Sequence, residues 1–323
     1  MPVSEFALIE RYFSQCGAER RDVELGIGDD AALLRCPDGV ELVAAIDTLV
    51  EGVHFLPNTA PASIGHRALA VNLSDLAAMG ARPAWALVAL TLPRPDECWL
   101  EDFARGFGTL ARAHEVALVG GNTTRGPLCI SVQVLGHVPH ASALRRSGAR
   151  AGDGLFLSGT TGDAAAGLLL ESGRLQLEDP MVAKELRERF AFPTPRVALG
   201  EHLRAHANAC IDVSDGLLGD AAKLAAASGC GVEIEFEQLP VSRALVSAVG
   251  EEQARRLALS GGEDYELCFS VPSAHIEALQ RAVPPARWNY RRIGTLRDAP
   301  DTLVTRAGTV MQFSHSGFDH FAA

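Results

Sequence analysis

The chain has 323 residues, and its 29 basic and 40 acidic side chains give a formal net charge of −11. This length predicts two domains of about 100–200 residues each, and the acidic balance disfavours a nucleic-acid binder, which normally shows a basic face. No apolar run approaches the ~20 residues that span a bilayer, and the N-terminal sequence lacks the features of a secretory signal. We therefore expect a cytoplasmic protein without a nucleic-acid or membrane partner.

The first half of the chain alternates short apolar runs with longer amphipathic ones, which predicts a mixed α and β, or α+β, architecture. In chain order we expect a helix at 5–15, a strand at 41–46, a helix at 63–79, a strand at 85–92, a helix at 96–113, and strands at 116–119 and 129–136. Ser63 and Asp96 are residue types that cap helix N-termini. The polar stretch 139–153 predicts a domain connection, so we place an N-terminal domain at 1–138 and a C-terminal domain at 139–323.

The second half repeats the alternation. We expect strands near 155–158, 209–213, 231–236, 266–271 and 290–294, with helices near 163–172, 180–190, 195–206, 216–228 and 274–282. Thr194 followed by Pro195 is typical of a helix start, with the proline at the first helical position. The seven cysteines form no CxxC pair, which indicates reduced, mostly buried thiols and not a disulfide framework or a zinc site.

Acidic residues gather beside glycines in short segments next to apolar runs. These segments are GIGDD at 26–30, DTLVEGVHF at 47–55, NLSDLAAMG at 72–80, GGNTTRG at 120–126, DVSDG at 212–216 and SGGEDYEL at 260–267. Mg²⁺ prefers oxygen ligands and is usually held by one or two carboxylates together with substrate phosphates. Glycines let backbone N–H groups approach phosphate oxygens closely. Together the segments favour a magnesium-assisted phosphate chemistry.

Each segment also has a purely structural interpretation. GIGDD alone is more simply a turn, and in DVSDG either Asp212 or Ser214 could cap a following helix. Asp75 is harder to explain structurally, because it lies in an apolar helical pattern and buried aspartates normally have a partner. The functional hypothesis depends on the joint occurrence of the segments.

Several phosphate-binding signatures are absent from the sequence. It has no G-x-x-x-x-G-K-[ST] P-loop and no HRD or DFG segment of the protein kinases. Its lysines, Lys184 and Lys223, both fall in expected helices. Phosphoryl transfer would therefore depend on metals and arginines to neutralise charge.

Taken in order, these segments together with GIGDDAAL, SGARAGD and the terminal GFDHF resemble the thiamine-monophosphate kinase family along essentially the whole chain. The family belongs to the superfamily of aminoimidazole ribonucleotide synthetase. The resemblance implies a two-domain fold whose N-terminal domain forms a β-barrel across a homodimer interface, with ATP between the domains. It also implies that ATP phosphorylates thiamine monophosphate to thiamine diphosphate by direct in-line transfer, assisted by several Mg²⁺ ions, and it allows a monovalent cation.

The resemblance further implies roles for individual residues. No residue is assigned as general base, because the acceptor phosphate is already anionic; Asp30, Asp47, Asp75 and Asp212 act electrostatically through metal. The implied metal ligands are Asp29, Asp30, Asp47, Asp75, Asn122, Asp212 and Asp215. The implied ATP contacts are Gly121, Asn122, Arg146 and Ser214. The implied substrate contacts are His54, Glu263 and Phe318, whose ring suits a cationic thiazolium.

The sequence departs from the family pattern at two places. The family loop normally reads GGDTT with a metal-binding aspartate, whereas this chain has Asn122. Where the family often has Ser-Thr before the DTLV aspartate, this chain has Ala45 and Ile46. An amide supplies one neutral oxygen and no charge, so we expect weaker binding of one Mg²⁺ or a higher magnesium requirement.

Two alternatives to an active kinase remain at this stage. Asn122 motivates a catalytically impaired relative that binds nucleotide or thiamine phosphate without turnover. Another ATP-dependent enzyme of the same superfamily is the second alternative; a selenophosphate synthetase would need a reactive cysteine in an N-terminal glycine-rich loop, whereas Cys16 ends an expected helix.

Overall fold

The computed structural model describes residues 5–313, which separate into two compact units. Within the described range, unit 1 comprises residues 5–76 and 81–142, and unit 2 comprises residues 77–80 and 143–313. The observed mixture of sheets and helices confirms the expected α+β class. No helix within the described range is both long enough and apolar enough to cross a membrane.

Unit 1 is built on a four-stranded sheet of order β3-β6-β4-β5. Its strands are β3 (Val40–Val50), β4 (Arg82–Leu92), β5 (Ala117–Arg125) and β6 (Cys129–Pro139), and a separate small hairpin pairs β1 (Val23–Leu25) with β2 (Leu33–Leu34). Its helices are α1 (Glu5–Tyr12), α2 (Pro61–Ala78) and α3 (Glu97–Ala113), of which α2 ends within the segment grouped with unit 2. Strands β4 and β5 pair in parallel and the other neighbours are antiparallel.

The edge strand β3 keeps an apolar face exposed. Leu42 and Ile46 are 50% and 63% exposed. They lie on the same face of the strand, because side chains alternate between the two faces. Across the sheet, Val88, Ile130 and Val132 are buried. Among the described residues β3 pairs only with β6, so this edge of the sheet presents backbone and apolar side chains together.

Unit 2 is built on a seven-stranded sheet of order β13-β12-β9-β11-β7-β10-β8. Its strands are β7 (Gly154–Ser158), β8 (Ala209–Val213), β9 (Gly231–Glu235), β10 (Glu266–Val271), β11 (Tyr290–Arg297), β12 (Thr302–Arg306) and β13 (Thr309–Met311). Strands β7, β8 and β10 are buried along their whole length, and β12 pairs with β9 as a parallel neighbour. Buried apolar residues of this sheet pack with Leu217, Ala221 and Leu224 of the helix that follows β8 in the chain.

The helices of unit 2 follow its strands along the chain. They are α4 (Asp163–Glu171), α5 (Pro180–Ala191), α6 (Val197–Leu203), α7 (Leu217–Ala227), α8 (Arg243–Val249), α9 (Glu251–Ser260), α10 (Ile276–Ala282) and α11 (Pro285–Trp288). A second apolar cluster joins α4, α5, α8 and α9 through Ala166, Leu186, Leu245 and Ala254.

Several expected element boundaries were wrong, each for a local reason. Asp96 caps α3 as expected, since its carboxylate accepts the N–H of Trp99 at 3.1 Å, but Ser63 lies inside α2 and donates to the carbonyl of Ala60. Helix α6 begins at Val197 after Arg196, so Pro195 precedes the first helical position. The GGNTTR segment, expected as a loop, continues strand β5. Helices α8 and α9 and strands β1, β2, β12 and β13 were missed.

Candidate active site

The DVSDG segment of unit 2 forms a loop between β8 and α7. Asp212 is buried in β8 opposite Leu267, and Ser214 and Asp215 follow the strand end at intermediate exposure. Helix α7 starts after Gly216, which has φ 125° and no side-chain capping bond, so neither Asp212 nor Ser214 caps this helix. The loop is therefore organised by residues outside the motif.

Asp220, one turn into α7, is the residue that holds this loop. Its side chain is buried, and its Oδ2 accepts the backbone N–H groups of Ser214 at 3.1 Å and Asp215 at 3.0 Å. Lys223 Nζ lies 2.9 Å from Asp220 Oδ1 and 2.7 Å from Asp215 Oδ2. Burial raises the pKa of Asp220 against the opposing effect of Lys223. Burial lowers the pKa of Lys223, but its two carboxylate partners outweigh this and raise it.

The SGGEDYEL segment is hydrogen-bonded directly to the DVSDG loop. Glu263 donates its backbone N–H to the carbonyl of Ser214 at 2.8 Å, and Tyr265 donates to Val213 at 2.9 Å. Gly262 permits this approach, because a Cβ there would lie 2.4 Å from the Ser214 carbonyl oxygen. The structure thus brings together the expected ATP contact Ser214, the expected metal ligands Asp212 and Asp215, and the expected substrate contact Glu263.

Asp264 ties the same segment to helix α4. Its buried carboxylate accepts the backbone N–H groups of Gly162 at 2.6 Å and Ala164 at 3.2 Å, which are among the donors that a helix N-terminus leaves unsatisfied. Burial raises the pKa of Asp264 to about 8. Sequence reasoning missed this residue, although it lies next to Glu263 in the motif.

A buried ion cluster lies at the start of β10. The Glu266 carboxylate is fully buried and accepts from Arg196 Nε at 2.6 Å, Arg189 Nη2 at 3.2 Å and Ser158 Oγ at 2.6 Å. Burial lowers the pKa of Arg196, but Glu266 outweighs it and raises the pKa. Because every contact is internal to unit 2, this cluster fixes the segment that follows the candidate loop. In the sequence, this cluster could have been suspected from a glutamate at the first position of an otherwise apolar strand.

In unit 1, the register of the sheet locates Asp47 and Asn122. Asp47 shares a cross-strand row with Val132 and, through it, with Val88 and Gly121. Asn122 belongs to the next row, with Ala89, Ser131 and Thr48, where the hydroxyls of Thr48 and Ser131 are 2.7 Å apart. Asp47 lies on β3 and Asn122 on β5, the first and last strands in the sheet order. Three inter-strand spacings therefore separate them, which is about 14 Å measured across the strands.

Gly121 has a structural requirement for glycine. Its φ is 155°, and a Cβ at this position would lie 1.9 Å from the carbonyl oxygen of Val88 on the neighbouring strand. The close pairing of β5 with β4 at this point therefore depends on the missing side chain. Gly121 and Asn122 are both exposed in the middle of β5.

His54 lies in the short loop after β3 and is fixed on two sides. Its Nδ1 accepts the backbone N–H of Val50 at 3.1 Å, so a neutral ring carries its proton on Nε2. Its carbonyl accepts from Arg67 Nη1 at 3.1 Å. Arg67 is only 2% exposed on helix α2. Sequence reasoning missed Arg67, whose signal was a charged residue on the buried face of a helix.

The remaining expected site residues are Asp29, Asp30, Asp75, Arg146 and Phe318. Asp29 and Asp30 are exposed, and the Asp30 backbone N–H donates to Asp29 Oδ1 at 2.8 Å. Asp75 is half-buried on α2, and Arg146 is exposed before β7. Phe318 lies outside the described residues.

The expected metal ligands fit magnesium better than a metal held by protein side chains alone. No three His, Cys, Asp or Glu side chains between residues 5 and 313 group closely enough to form a metal cage. Mg²⁺ does not require such a cage, because it is commonly held by one or two carboxylates plus substrate phosphates and water. Paired or single carboxylates at loop ends, as in Asp29 and Asp30, fit that coordination chemistry.

Family models identify the class of protein. Residues 28–138 match the N-terminal domain of the AIR synthase related proteins, and residues 150–305 match the C-terminal domain. The chain belongs to this family, and its two units have the corresponding two-domain fold.

Full-length relatives identify the branch of the family. Thiamine-monophosphate kinase of Salmonella typhimurium is 47% identical over 100% of this chain and 99% of its own length. The thiamine-monophosphate kinase structure from Stenotrophomonas maltophilia K279a is 47% identical with a TM-score of 0.86, covering 96% of this chain and 99% of its own. AaThiL complexed with AMPPCP and TMP is 33% identical with a TM-score of 0.78, covering 99% of both chains. The chain is a member of the thiamine-monophosphate kinases and thus a phosphotransferase.

Proposed function

We propose that this chain transfers the γ-phosphoryl group of ATP directly to the phosphate of thiamine monophosphate, giving ADP and thiamine diphosphate. The observation that carries the proposal is the hydrogen bond between Glu263 N–H and Ser214 O at 2.8 Å. It joins the loop assigned to nucleotide and metal to the loop assigned to the acceptor substrate. A relative that holds AMPPCP and TMP together supports the same pair of substrates.

The acceptor needs no strong general base, since a phosphate monoester is already anionic at neutral pH. The difficulty is the approach of two polyanions, which positioning and electrostatic stabilisation overcome. Magnesium supplies positive charge between the phosphates when bound. The residues that would hold it are Asp29, Asp30, Asp47, Asp75, Asn122, Asp212 and Asp215.

The protein groups divide between the two substrates. For ATP, Gly121 offers backbone without a side chain, Arg146 offers a guanidinium and Ser214 a hydroxyl. For thiamine monophosphate, His54 offers an Nε2–H donor to phosphate oxygen, because Val50 N–H occupies Nδ1. Glu263 offers a carboxylate and Phe318 a ring for the cationic part of the molecule.

A homodimer is part of the proposal. Leu42 and Ile46 expose an apolar face on an unpaired edge strand, and such edges are normally covered in native proteins. A second copy of this chain would bury that edge and continue the sheet towards a barrel. Sedimentation of the purified chain tests this point: an Ile46→Lys variant that stays dimeric at the wild-type concentration would contradict it.

Turnover tests the function directly. The chain is incubated with ATP, Mg²⁺ and thiamine monophosphate, and thiamine diphosphate is followed by chromatography; we expect steady formation at millimolar Mg²⁺. Failure to form it at any magnesium concentration would remove the kinase proposal. Binding of both substrates without turnover would favour the second candidate, an impaired binding protein, which the neutral amide of Asn122 motivates.

A further inference from the structure

The segment around Glu263 has an unusual backbone. Glu263 and Tyr265 have φ values of 71° and 53°, in the left-handed region that residues with a Cβ rarely adopt. Two such residues separated by one position are strained, and such conformations persist only where the surrounding structure imposes them. The contacts that impose this one indicate what the segment presents.

Asp264 lies between Glu263 and Tyr265, and its side chain fixes the segment to helix α4. It is 2% exposed and accepts the backbone N–H groups of Gly162 and Ala164 at 2.6 and 3.2 Å. On either side, the backbone N–H groups of Glu263 and Tyr265 donate to the carbonyls of Ser214 and Val213. Four hydrogen bonds therefore hold three consecutive residues, and the strained conformation directs the side chains of Glu263 and Tyr265 towards each other.

The consequence is a contact between those two side chains. The phenolic hydroxyl of Tyr265 donates to Glu263 Oε2 at 2.9 Å. Tyr265 is 7% exposed, whereas Glu263 has intermediate exposure. A carboxylate accepts up to about four hydrogen bonds, and this one ties the orientation of Glu263 to the buried Tyr265 ring.

We propose that Tyr265 is a positioning residue that orients the carboxylate of Glu263 towards the amino- and thiazolium-bearing part of the acceptor substrate. This inference rests on the proposed function and deepens it. A carboxylate repels phosphate and attracts a cation or an N–H donor, so Glu263 faces the end of thiamine monophosphate that is away from the reacting phosphates. Tyr265 then sets the affinity for this substrate and leaves that for ATP unchanged.

The test is Tyr265→Phe, which keeps the ring and removes the hydroxyl. Tyr290→Phe is the matched control, because Tyr290 is 5% exposed in the same unit and its hydroxyl donates to the Val283 carbonyl at 2.7 Å. Loss of a hydrogen bond to a charged group predicts a rise of about tenfold in KM for thiamine monophosphate. In the Tyr265→Phe variant, the KM for ATP and the kcat should change less than twofold. In the Tyr290→Phe variant, the kcat and the KM values for both substrates should change less than twofold. Equal rises in both KM values, or an unchanged KM for thiamine monophosphate, would overturn the proposal.

A double-mutant cycle separates positioning from a merely structural effect. If Tyr265 acts through Glu263, then Tyr265→Phe combined with Glu263→Gln should bind thiamine monophosphate no more weakly than Glu263→Gln alone. Titration calorimetry without ATP measures this. Additive losses would overturn the positioning role, even in a wild type that turns over normally. A wild type that neither binds nor phosphorylates thiamine monophosphate would overturn both this inference and the proposed function.

Discussion

Lys223 and Asp215 form an ion pair, with Nζ 2.7 Å from Oδ2. Asp215 is one of the proposed metal ligands, so the chain already supplies a positive charge at that carboxylate. A divalent ion that binds Asp215 must share it with the ammonium group or displace it. The same lysine contacts Asp220, which links the charge balance of the loop to the residue that holds its backbone.

Asp220→Ala should impair both catalysis and stability. The change removes the acceptor of two backbone N–H groups and one partner of Lys223, and an unsatisfied donor of this kind costs about 1–3 kcal/mol. We expect kcat/KM to fall more than tenfold and the thermal midpoint to drop. Asp179→Ala is the control, because Asp179 likewise accepts two backbone N–H groups at the start of α5. If both variants keep full activity, the loop does not depend on Asp220.

Asn122→Asp should lower the magnesium requirement. It adds the negative charge that the family pattern places in this row of the sheet, and carboxylates are preferred Mg²⁺ ligands. Initial rates measured over a magnesium series should show a half-maximal concentration several-fold below that of the wild type. Gln253→Glu adds the same charge on exposed helix α9 and should leave the series unchanged. An unshifted series for Asn122→Asp would remove this residue from the metal site.

Arg67→Met should weaken binding of the acceptor substrate. The variant retains an apolar side chain of similar length but loses the hydrogen bond from Nη1 to the His54 carbonyl. The loop that carries His54 is then no longer fixed to helix α2 by this bond. We expect KM for thiamine monophosphate to rise about five- to tenfold, with a smaller change for ATP. Arg204→Met breaks a comparable bond to the Gly80 carbonyl and serves as the control. Equal effects of the two variants would indicate a general loss of stability.

The buried carboxyl of Asp264 predicts a pH dependence of stability. Its pKa rises from 3.8 to about 8 on folding because burial disfavours the charged form. Between these two values the folded state binds the proton that the unfolded state has released, so the free energy of unfolding falls as pH rises through this window. The slope is at most about 1.4 kcal/mol per pH unit.

Denaturant unfolding at pH 5 and pH 8 measures this effect. Relative to Asp264→Asn, which does not ionise, the wild type should be less stable at pH 8 than at pH 5. A difference between the two proteins that stays constant over this range would show that Asp264 has no raised pKa in the folded chain.

Local patterns allowed much of the fold to be predicted. Asp96 was recognised as a helix cap because aspartate is a preferred residue at helix N-termini, and its hydrogen bond to the N–H of Trp99 confirms this. Helices α4 and α7 start within one residue of their expected positions, where apolar periodicity follows a glycine. The DVSDG loop was correctly placed between a buried strand and a helix.

The features that organise the site depend on contacts distant in sequence. Asp264 reaches Gly162 across 102 positions, and Glu266 reaches Ser158 across 108, so no window of neighbouring residues contains the pairing. Gly121 was expected in a loop, because only the approach of Val88 shows that the glycine serves an extended strand. Arg67 was not singled out from the sequence, because its burial depends on which face of α2 packs inward.

The strand order of the larger sheet has a consequence for synthesis on the ribosome. Strands β7, β8 and β9 do not pair with one another; β7 and β8 meet through β10, and β9 joins them only through β11. A nascent chain that stops before β10 (Glu266–Val271) holds β7, β8 and β9 without either bridging strand. One that stops before β11 still has no strand that joins β9 to β7. Premature termination in this region should yield insoluble, protease-sensitive fragments that need chaperones, not a smaller folded enzyme.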